Sequence, residues 1–93
     1  MKRALLPSTA FLRAARRVAK RQPALAEVIQ ETLRLLSDDA FDSRLRTHKL
    51  KGELDGSWAC SVVYDLRIVF SFEQQDGAEA ILLETIGTHD EVY

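Results

Sequence analysis

Five side chains able to take part in acid–base or phosphate chemistry stand out in this sequence. They are two histidines, an aspartate, an arginine and a tyrosine: His48, Asp65, Arg67, His89 and Tyr93. Imidazoles transfer protons near neutral pH, and a guanidinium group binds phosphate through two parallel hydrogen bonds. RNA carries its own nucleophile, the 2′-OH, so its cleavage requires only a base, an acid and a cation beside the phosphate. This residue set is therefore compatible with RNA cleavage that needs neither a metal nor a protein nucleophile.

Each of these residues also has a purely structural explanation. A histidine in a polar segment is most often simply exposed, and Asp65 suits a turn because aspartate bonds to its own backbone. Arg67 lies two residues further on, so it shares a strand face with Asp65 and can pair with Asp65 or Glu84 on the sheet surface. Tyr93 can pack on the core as an aromatic residue. The residue types alone leave both explanations open.

The composition indicates one compact domain without disulfides. The chain has 93 residues, of which 46% are hydrophobic, one is a cysteine (Cys60) and two are histidines. This length supports one core, so we expect a single domain spanning residues 1–93. A lone cysteine and two distant histidines indicate a reducing compartment and no structural metal. No apolar run is long enough to cross a bilayer, and Pro7 interrupts the only stretch that resembles a signal peptide.

Charge is distributed unevenly along the chain, although the formal net charge is −1. Residues 1–52 contain 12 of the 13 Lys and Arg residues and 5 acids, which gives +7. Residues 53–93 contain one basic residue and 9 acids, which gives −8. Such asymmetry indicates a face that meets phosphates or an acidic partner, unless the two parts neutralise each other in the folded domain.

The first half of the sequence predicts a short strand followed by two helices. Residues 3–6 form a candidate strand that Pro7 ends, because proline cannot donate to a ladder. Ser8 then suits the N-cap of a basic, amphipathic first helix. Pro23 suits the first position of a second helix, whose apolar residues recur at helical spacing until about Ser37.

The second half predicts a long loop followed by three antiparallel strands. Residues 38–57 are polar and irregular, with Phe41 and Leu45 as anchors, and long loops in small domains are often functional. Alternation then predicts two strands that meet around Tyr64, and "EAILLETIG" after the turn "QQDGA" predicts a third. The order β-α-α-β-β-β predicts an α+β fold of two layers, with an N-terminal strand and a helical hairpin packed on an antiparallel sheet. The alternation places these residues on one strand face: Trp58, Cys60, Val62 and Tyr64.

Three short motifs follow one another along the second half. They are "HKLKG" from His48, the Asp-x-Arg within "WACSVVYDLRIVFSF", and the "GTH" of "ILLETIGTHDEVY". Together they resemble the RelE/ParE toxin superfamily, and specifically its YafQ-like branch, whose signature is H-x-L-x-G, then D-x-R or a variant, then G-[ST]-H. The resemblance covers nearly the whole chain and implies a RelE-like fold.

The resemblance implies a toxin of a type II toxin–antitoxin module, a ribosome-dependent mRNA endonuclease that acts in the cytoplasm without a metal or cofactor. The implied partners are a cognate antitoxin, through which the complex binds operator DNA, and mRNA on the ribosome with contacts to rRNA; no membrane is involved. His48 and His89 correspond to the proton-transfer pair and Asp65 to a catalytic or orienting acid. Arg67 corresponds to the cation that stabilises phosphate charge and Tyr93 to a terminal aromatic residue of the site. Four basic residues of the loop are expected to bind RNA: Arg44, Arg46, Lys49 and Lys51.

Two other functions stay open at this point. ParE-type toxins share the architecture but act on DNA gyrase and lack the histidine set, so His48 and His89 argue against that target. The second alternative is a catalytically degenerate member that acts only by binding its antitoxin and DNA. Ser61 and the acidic second half of the chain give it some weight. Some YafQ-like members have a further histidine and an aromatic residue where this sequence has Ser61 and Leu66, which implies a weaker or altered active site.

Overall fold

The computed structural model describes residues 2–93 and contains one five-stranded sheet with two long helices on one face. Short 3-10 turns at Ser43–Leu45 and Gly52–Leu54 flank the second strand. The elements follow in the order β1 (Ala4–Pro7), α1 (Thr9–Arg21), α2 (Leu25–Asp38), β2 (His48–Lys49), β3 (Trp58–Val63), β4 (Leu66–Gln75), β5 (Ala78–Thr88) and α3 (His89–Val92). This arrangement confirms the predicted α+β fold of two layers.

The sheet has the strand order β1-β5-β4-β3-β2. Strands β3, β4 and β5 form an antiparallel meander, as predicted. Strand β2 adds to it antiparallel to β3, and β1 joins the other edge parallel to β5. Pro7 does not stop β1 but is its last residue, paired with Leu83. Because β1 is an edge strand, the missing amide of Pro7 costs no ladder bond. Ser8 caps α1 as predicted, since its Oγ accepts from Phe11 N at 3.0 Å.

Two apolar clusters lie on opposite faces of the sheet. The main core fills the space between the sheet and the two long helices, and its largest fully buried side chains include Phe70, Leu36 and Ile68. On the other face lies a small cluster with a buried centre and two half-buried neighbours. The small cluster consists of Leu50, Ala59 and Val69, with Leu54 and Val92 packed against them.

The segment predicted as a long loop is more ordered than expected, because it contains β2 and both 3-10 turns. Leu45 is an anchor as predicted and is buried. Phe41 is 54% exposed, and its ring packs against Trp58 and Phe72 with centroid distances of 5.3 and 5.9 Å. Phe41 therefore belongs to the rim of the main core rather than to its interior.

The two strands meet around Tyr64, as predicted. Tyr64 lies in the turn between β3 and β4 and is 99% exposed, so it does not continue the alternation of β3. The start of the second helix was predicted wrongly. Helix α2 begins at Leu25 rather than at Pro23, which lies in the preceding turn.

The two oppositely charged parts of the chain do not neutralise each other through many contacts. Within residues 2–93, the only ion pair at 4.0 Å or less that joins them is Arg3 to Glu79, at 2.6 Å. We call the exposed basic residues of α1 the basic stripe, and in the described part of the chain none of them has a carboxylate within 4.0 Å. The basic stripe consists of Arg13, Arg16, Arg17, Lys20 and Arg21. None of the helices described here has both the length and the apolar character of a membrane span.

Candidate active site

The five residues predicted for catalysis lie together at one end of the sheet. The hydroxyl of Tyr93 is 3.4 Å from His48 Nε2, and the Tyr93 ring packs edge-on against the His89 ring at 4.5 Å between centroids. Asp65 Oδ1 is 3.6 Å from Arg67 Nη1 and accepts from the backbone N–H of His89 at 3.4 Å. Each of the five residues therefore contacts at least one other, although they come from three separate parts of the chain.

Strand pairing explains why residues so distant in sequence converge. His48 pairs with Ala59 across β2 and β3, and Ala59 belongs to the small cluster, so His48 lies on the face opposite the long helices. Arg67 pairs with Gly87 across β4 and β5. It also precedes Val69 by two positions, which places both on this same face. The site therefore lies on the sheet face opposite the long helices, above the small cluster. Its residues come from β2, from β4 and from the end of β5.

The third part of the site is α3, a helix that the sequence analysis missed. Thr88 and Glu91 form a capping box in which each side chain accepts a hydrogen bond from the other residue's backbone N–H. Val92 anchors the helix on the small cluster. His89 and Tyr93 are four residues apart, one helical turn, and Tyr93 N donates to His89 O at 3.0 Å. The motif Thr-x-x-Glu was the sequence signal that predicts such a start.

The hydrogen bonds of His48 define its tautomer in the neutral state. Its Nδ1 lies 3.1 Å from the carbonyl oxygen of Arg46, which can only accept, so Nδ1 must carry the proton. In the neutral imidazole, Nε2 then has a free lone pair and faces the Tyr93 hydroxyl. His48 is therefore arranged to receive a proton at Nε2 from a group that approaches the site.

Arg67 supplies a cation with a donor nitrogen, Nη1, that is left unpaired in the described part of the chain. Its Nη1 is buried and has no hydrogen-bond partner among residues 2–93. The 3.6 Å separation from Asp65 is too long for a hydrogen bond, so the carboxylate orients the guanidinium group without satisfying it. A buried donor without a partner is costly. The side chain as a whole remains 25% exposed, so a phosphate can approach the guanidinium group from the solvent side.

Burial raises the pKa of Tyr93, and the positive charge of Arg67 offsets this only in part. The phenol therefore stays protonated near neutral pH and can donate to His48 Nε2. Cys60 is the only cysteine of the sequence, and its burial in the main core raises its pKa to about 12. Cys60 is therefore not available as a nucleophile.

Two of the four basic residues expected to bind RNA are engaged away from the five-residue site. Arg44 binds the carboxylate of Asp42 through Nε at 3.0 Å and Nη2 at 2.8 Å, and these bonds lower the pKa of Asp42 to about 2. Lys49 pairs with Trp58, which packs against the main core, so it lies on the face opposite His48. Its amine is 5.7 Å from the centre of the Trp58 ring. An RNA contact by Arg44 or Lys49 stays a prediction.

The other two basic residues adjoin the site. Lys51 lines a cleft of about 370 Å³ together with Leu50 and Tyr93. Arg46 has a left-handed backbone conformation, with φ of 51°, and its carbonyl oxygen contacts His48. Within residues 2–93, no three His, Cys, Asp or Glu side chains are grouped as metal ligands.

The chain was compared with known proteins. A family model described as a bacterial toxin of type II toxin–antitoxin systems, YafQ, matches residues 3–93. Among curated proteins, no sequence matches significantly.

Several solved toxins have a similar structure. A chain of the E. coli DinJ–YafQ complex is 18% identical with a TM-score of 0.77, and the match covers 99% of this chain and 99% of that chain. A metal-bound toxin from Helicobacter pylori is 21% identical with a TM-score of 0.78, and the match covers 100% of this chain and 100% of that chain. A YoeB/ParE toxin from Agrobacterium tumefaciens is 15% identical with a TM-score of 0.77, over 92% of this chain and 98% of that chain. At these identities the likeness shows a shared fold.

Proposed function

This chain belongs to the YafQ family of toxins from bacterial type II toxin–antitoxin systems, and from this premise we propose that it is an endoribonuclease that cleaves mRNA on the ribosome. The observation that carries the proposal is the position of Tyr93, which contacts the rings of both His48 and His89. Two imidazoles brought within reach of one phenol, beside an arginine with a free N–H, match what cleavage by the RNA 2′-OH requires.

The proton transfers follow from the tautomer of His48. Its Nε2 accepts the proton of the 2′-OH, which replaces the Tyr93 hydroxyl as the partner of that nitrogen. The 2′ oxygen bonds to phosphorus as the bond from phosphorus to the 5′ oxygen breaks, which leaves a 2′,3′-cyclic phosphate. His89, in its protonated form, donates to the leaving 5′ oxygen. The site thus needs one neutral and one protonated imidazole, and the rate should follow a bell-shaped pH profile.

Arg67 and Asp65 have supporting roles in this mechanism. Arg67, whose side chain is 25% exposed, donates to a non-bridging phosphate oxygen and stabilises the charge that develops there. Asp65 orients that guanidinium group and also accepts from the backbone of His89, so one carboxylate links the cation to the proton donor. Tyr93, once displaced from His48, is free to donate to the phosphate as well.

The charge distribution supports an RNA partner. In the described part of the chain, no carboxylate lies within 4.0 Å of the basic stripe of α1, and Lys51 borders the site. The formal net charge of −1 provides no general attraction to RNA, so these local patches must supply the phosphate contacts. We expect the basic stripe to contact rRNA while the site reaches the message in the cytoplasm.

A cognate antitoxin is the second expected partner. The related E. coli toxin was solved in a complex with DinJ. We expect an antitoxin of this chain to block the site and to connect the complex to operator DNA. Purification of the chain with and without a candidate antitoxin tests this expectation, because only the free toxin should cleave.

The decisive experiment uses purified ribosomes programmed with a defined mRNA under single-turnover conditions. The wild-type protein should produce new 5′ ends within translated codons, and His89→Ala should lower the rate by roughly 10²- to 10⁴-fold. Glu73→Ala, which removes a charge from an exposed residue of β4, is the matched control and should cleave like the wild type. If this assay gives no new ends although expression of the protein in cells arrests growth, a gyrase-type target is indicated instead. Antitoxin binding without arrest or cleavage would indicate a degenerate, purely binding toxin.

A further inference from the structure

Helix α3 is too short to maintain its own conformation. Isolated helices shorter than about 12–15 residues are marginal in water, and α3 has four residues. Its shape must therefore depend on contacts at its two ends. Val92 provides one of them by packing on the small cluster, and the pair Thr88 and Glu91 provides the other.

Glu91 makes the hydrogen bond that closes the first turn of α3. Its Oε1 accepts from Thr88 N at 2.8 Å, while Thr88 Oγ1 accepts from Glu91 N at 3.3 Å. The bond from Thr88 N is the principal cause that lowers the pKa of Glu91, and the charges of Arg21 and Arg17 lower it further. The carboxylate is therefore ionised near neutral pH and remains an acceptor for Thr88.

The position of Glu91 argues against a role in proton transfer. It lines a cleft on the side of α1 together with Arg17 and Arg21, whereas Tyr93 faces His48 and borders a different cleft. In the described part of the chain, the carboxylate of Glu91 accepts a hydrogen bond only from Thr88.

We propose that Glu91 is a positioning residue, which holds the turn that places His89 and Tyr93 one above the other and Tyr93 against His48. The inference rests on the proposed function, since it explains how two of the residues assigned to RNA cleavage keep their geometry. Misplacing a reacting group by about 1 Å can cost roughly 10²-fold in rate. Loss of the Glu91 bond should therefore affect the chemical step more than the binding of the ribosome.

Three variants separate the hydrogen bond from the charge of Glu91. Glu91→Gln retains an acceptor oxygen at the same reach but loses the charge, and it should cleave within about twofold of the wild type. Glu91→Asp retains the charge but is one methylene shorter, and Glu91→Ala loses both. These two should cleave roughly 10- to 100-fold more slowly, with an unchanged half-saturating concentration of programmed ribosomes. Glu73→Ala again controls for the loss of a surface charge.

A second readout does not depend on activity. In the wild-type protein, NMR should detect nuclear Overhauser contacts between the ring protons of His89 and Tyr93, which lie 4.5 Å apart between centroids. These contacts should persist in Glu91→Gln and disappear in Glu91→Ala and Glu91→Asp. Should Glu91→Ala fail to fold, the comparison of the Asp and Gln variants still decides the matter.

The outcomes distinguish this inference from the proposed function. Equal losses of cleavage in Glu91→Gln and Glu91→Ala, or slow cleavage with the ring contacts intact, would overturn the positioning role. If the wild-type protein does not cleave at all, the proposed function fails. In that case the ring contacts alone still test whether Glu91 holds the pair, and their persistence in Glu91→Ala would overturn it.

Discussion

Replacing Gly87 with alanine tests how closely α3 is packed on β5. A methyl group on Gly87 would lie 3.1 Å from Glu91 Cβ and Oε1 and 3.2 Å from Val92 Cγ1. Carbon atoms pack best at about 3.5–4.0 Å, so α3 must move away by several tenths of an ångström. Gly87 lies within β5 and is not among the glycines with positive φ, so its backbone accepts alanine without strain. Without the clash, alanine would raise the free energy of unfolding by about 0.4–1 kcal/mol, because it reduces the conformational entropy of the unfolded chain.

The clash should be relieved by displacement of α3 rather than of the sheet. A helix N-cap is worth about 1 kcal/mol, and the half-buried Val92 contributes about 1 kcal/mol more. Moving α3 therefore costs about 2 kcal/mol at most, which is less than separating β4 from β5. After the gain from alanine is subtracted, we expect the free energy of unfolding to fall by about 1 kcal/mol. For a domain of this size that corresponds to a fall in Tm of about 4–8 °C.

The assay compares thermal unfolding with single-turnover cleavage for Gly87→Ala, Val92→Ala and the double variant. Cleavage by Gly87→Ala should fall at least tenfold, because displacement of α3 moves His89 and Tyr93 together. Val92→Ala removes one of the groups that the new methyl group would clash with. The loss in free energy of unfolding in the double variant should therefore be smaller than the sum of the losses in the two single variants. A raised Tm with unchanged cleavage in Gly87→Ala would refute the close packing and the argument built on it.

Three further predictions concern single side chains. Tyr93→Phe removes only the hydroxyl near His48, so the rate of cleavage should fall about 2- to 13-fold, the equivalent of one hydrogen bond. Ribosome binding should be unchanged. An unaltered rate of cleavage would show that this hydroxyl is not used. Asp42 has a pKa of about 2, below its usual value of 3.8, so its contribution to stability is complete above about pH 4 and is lost as the pH falls towards 2. Asp42→Asn should therefore show a smaller fall in Tm than the wild type across that interval, and equal falls would contradict the assignment. Phe41→Ala removes two aromatic contacts and should lower the free energy of unfolding by about 1–3 kcal/mol. Denaturant titration followed by Trp58 fluorescence measures this loss. A loss below about 0.5 kcal/mol would show that Phe41 does not pack on the rim of the main core.

The long elements of the fold could be predicted because their periodicity is strong. Two helices with an apolar face and three strands with alternating burial follow directly from residue spacing. The parallel pairing of β1 with β5 leaves no pattern in the nearby sequence. It depends on the order of the other strands, which leaves the edge of β5 free for β1. Strand β2 has only two residues, His48 and Lys49, too few to show any alternation.

The candidate site was predictable as a set of residues but not as a geometry. Residue types and motifs alone single out His48, Asp65, Arg67, His89 and Tyr93. The contact of Tyr93 with His48 could not be predicted, because it requires both the sheet order and the helical turn of α3. Glu91 was overlooked although the Thr-x-x-Glu motif is visible in the sequence, since its role is to hold other residues rather than to react.

The small cluster beneath the site has an evolutionary consequence. The main core, which contains Phe70, Leu36 and Ile68, lies on the other face of the sheet and does not include the side chains that support the site. Substitutions at Leu54 or Val92 should therefore silence the toxin while leaving most of the folding free energy intact. Lineages under selection to escape growth arrest are expected to accumulate changes in this cluster first. A silenced copy would remain folded and could still sequester antitoxin from an active relative.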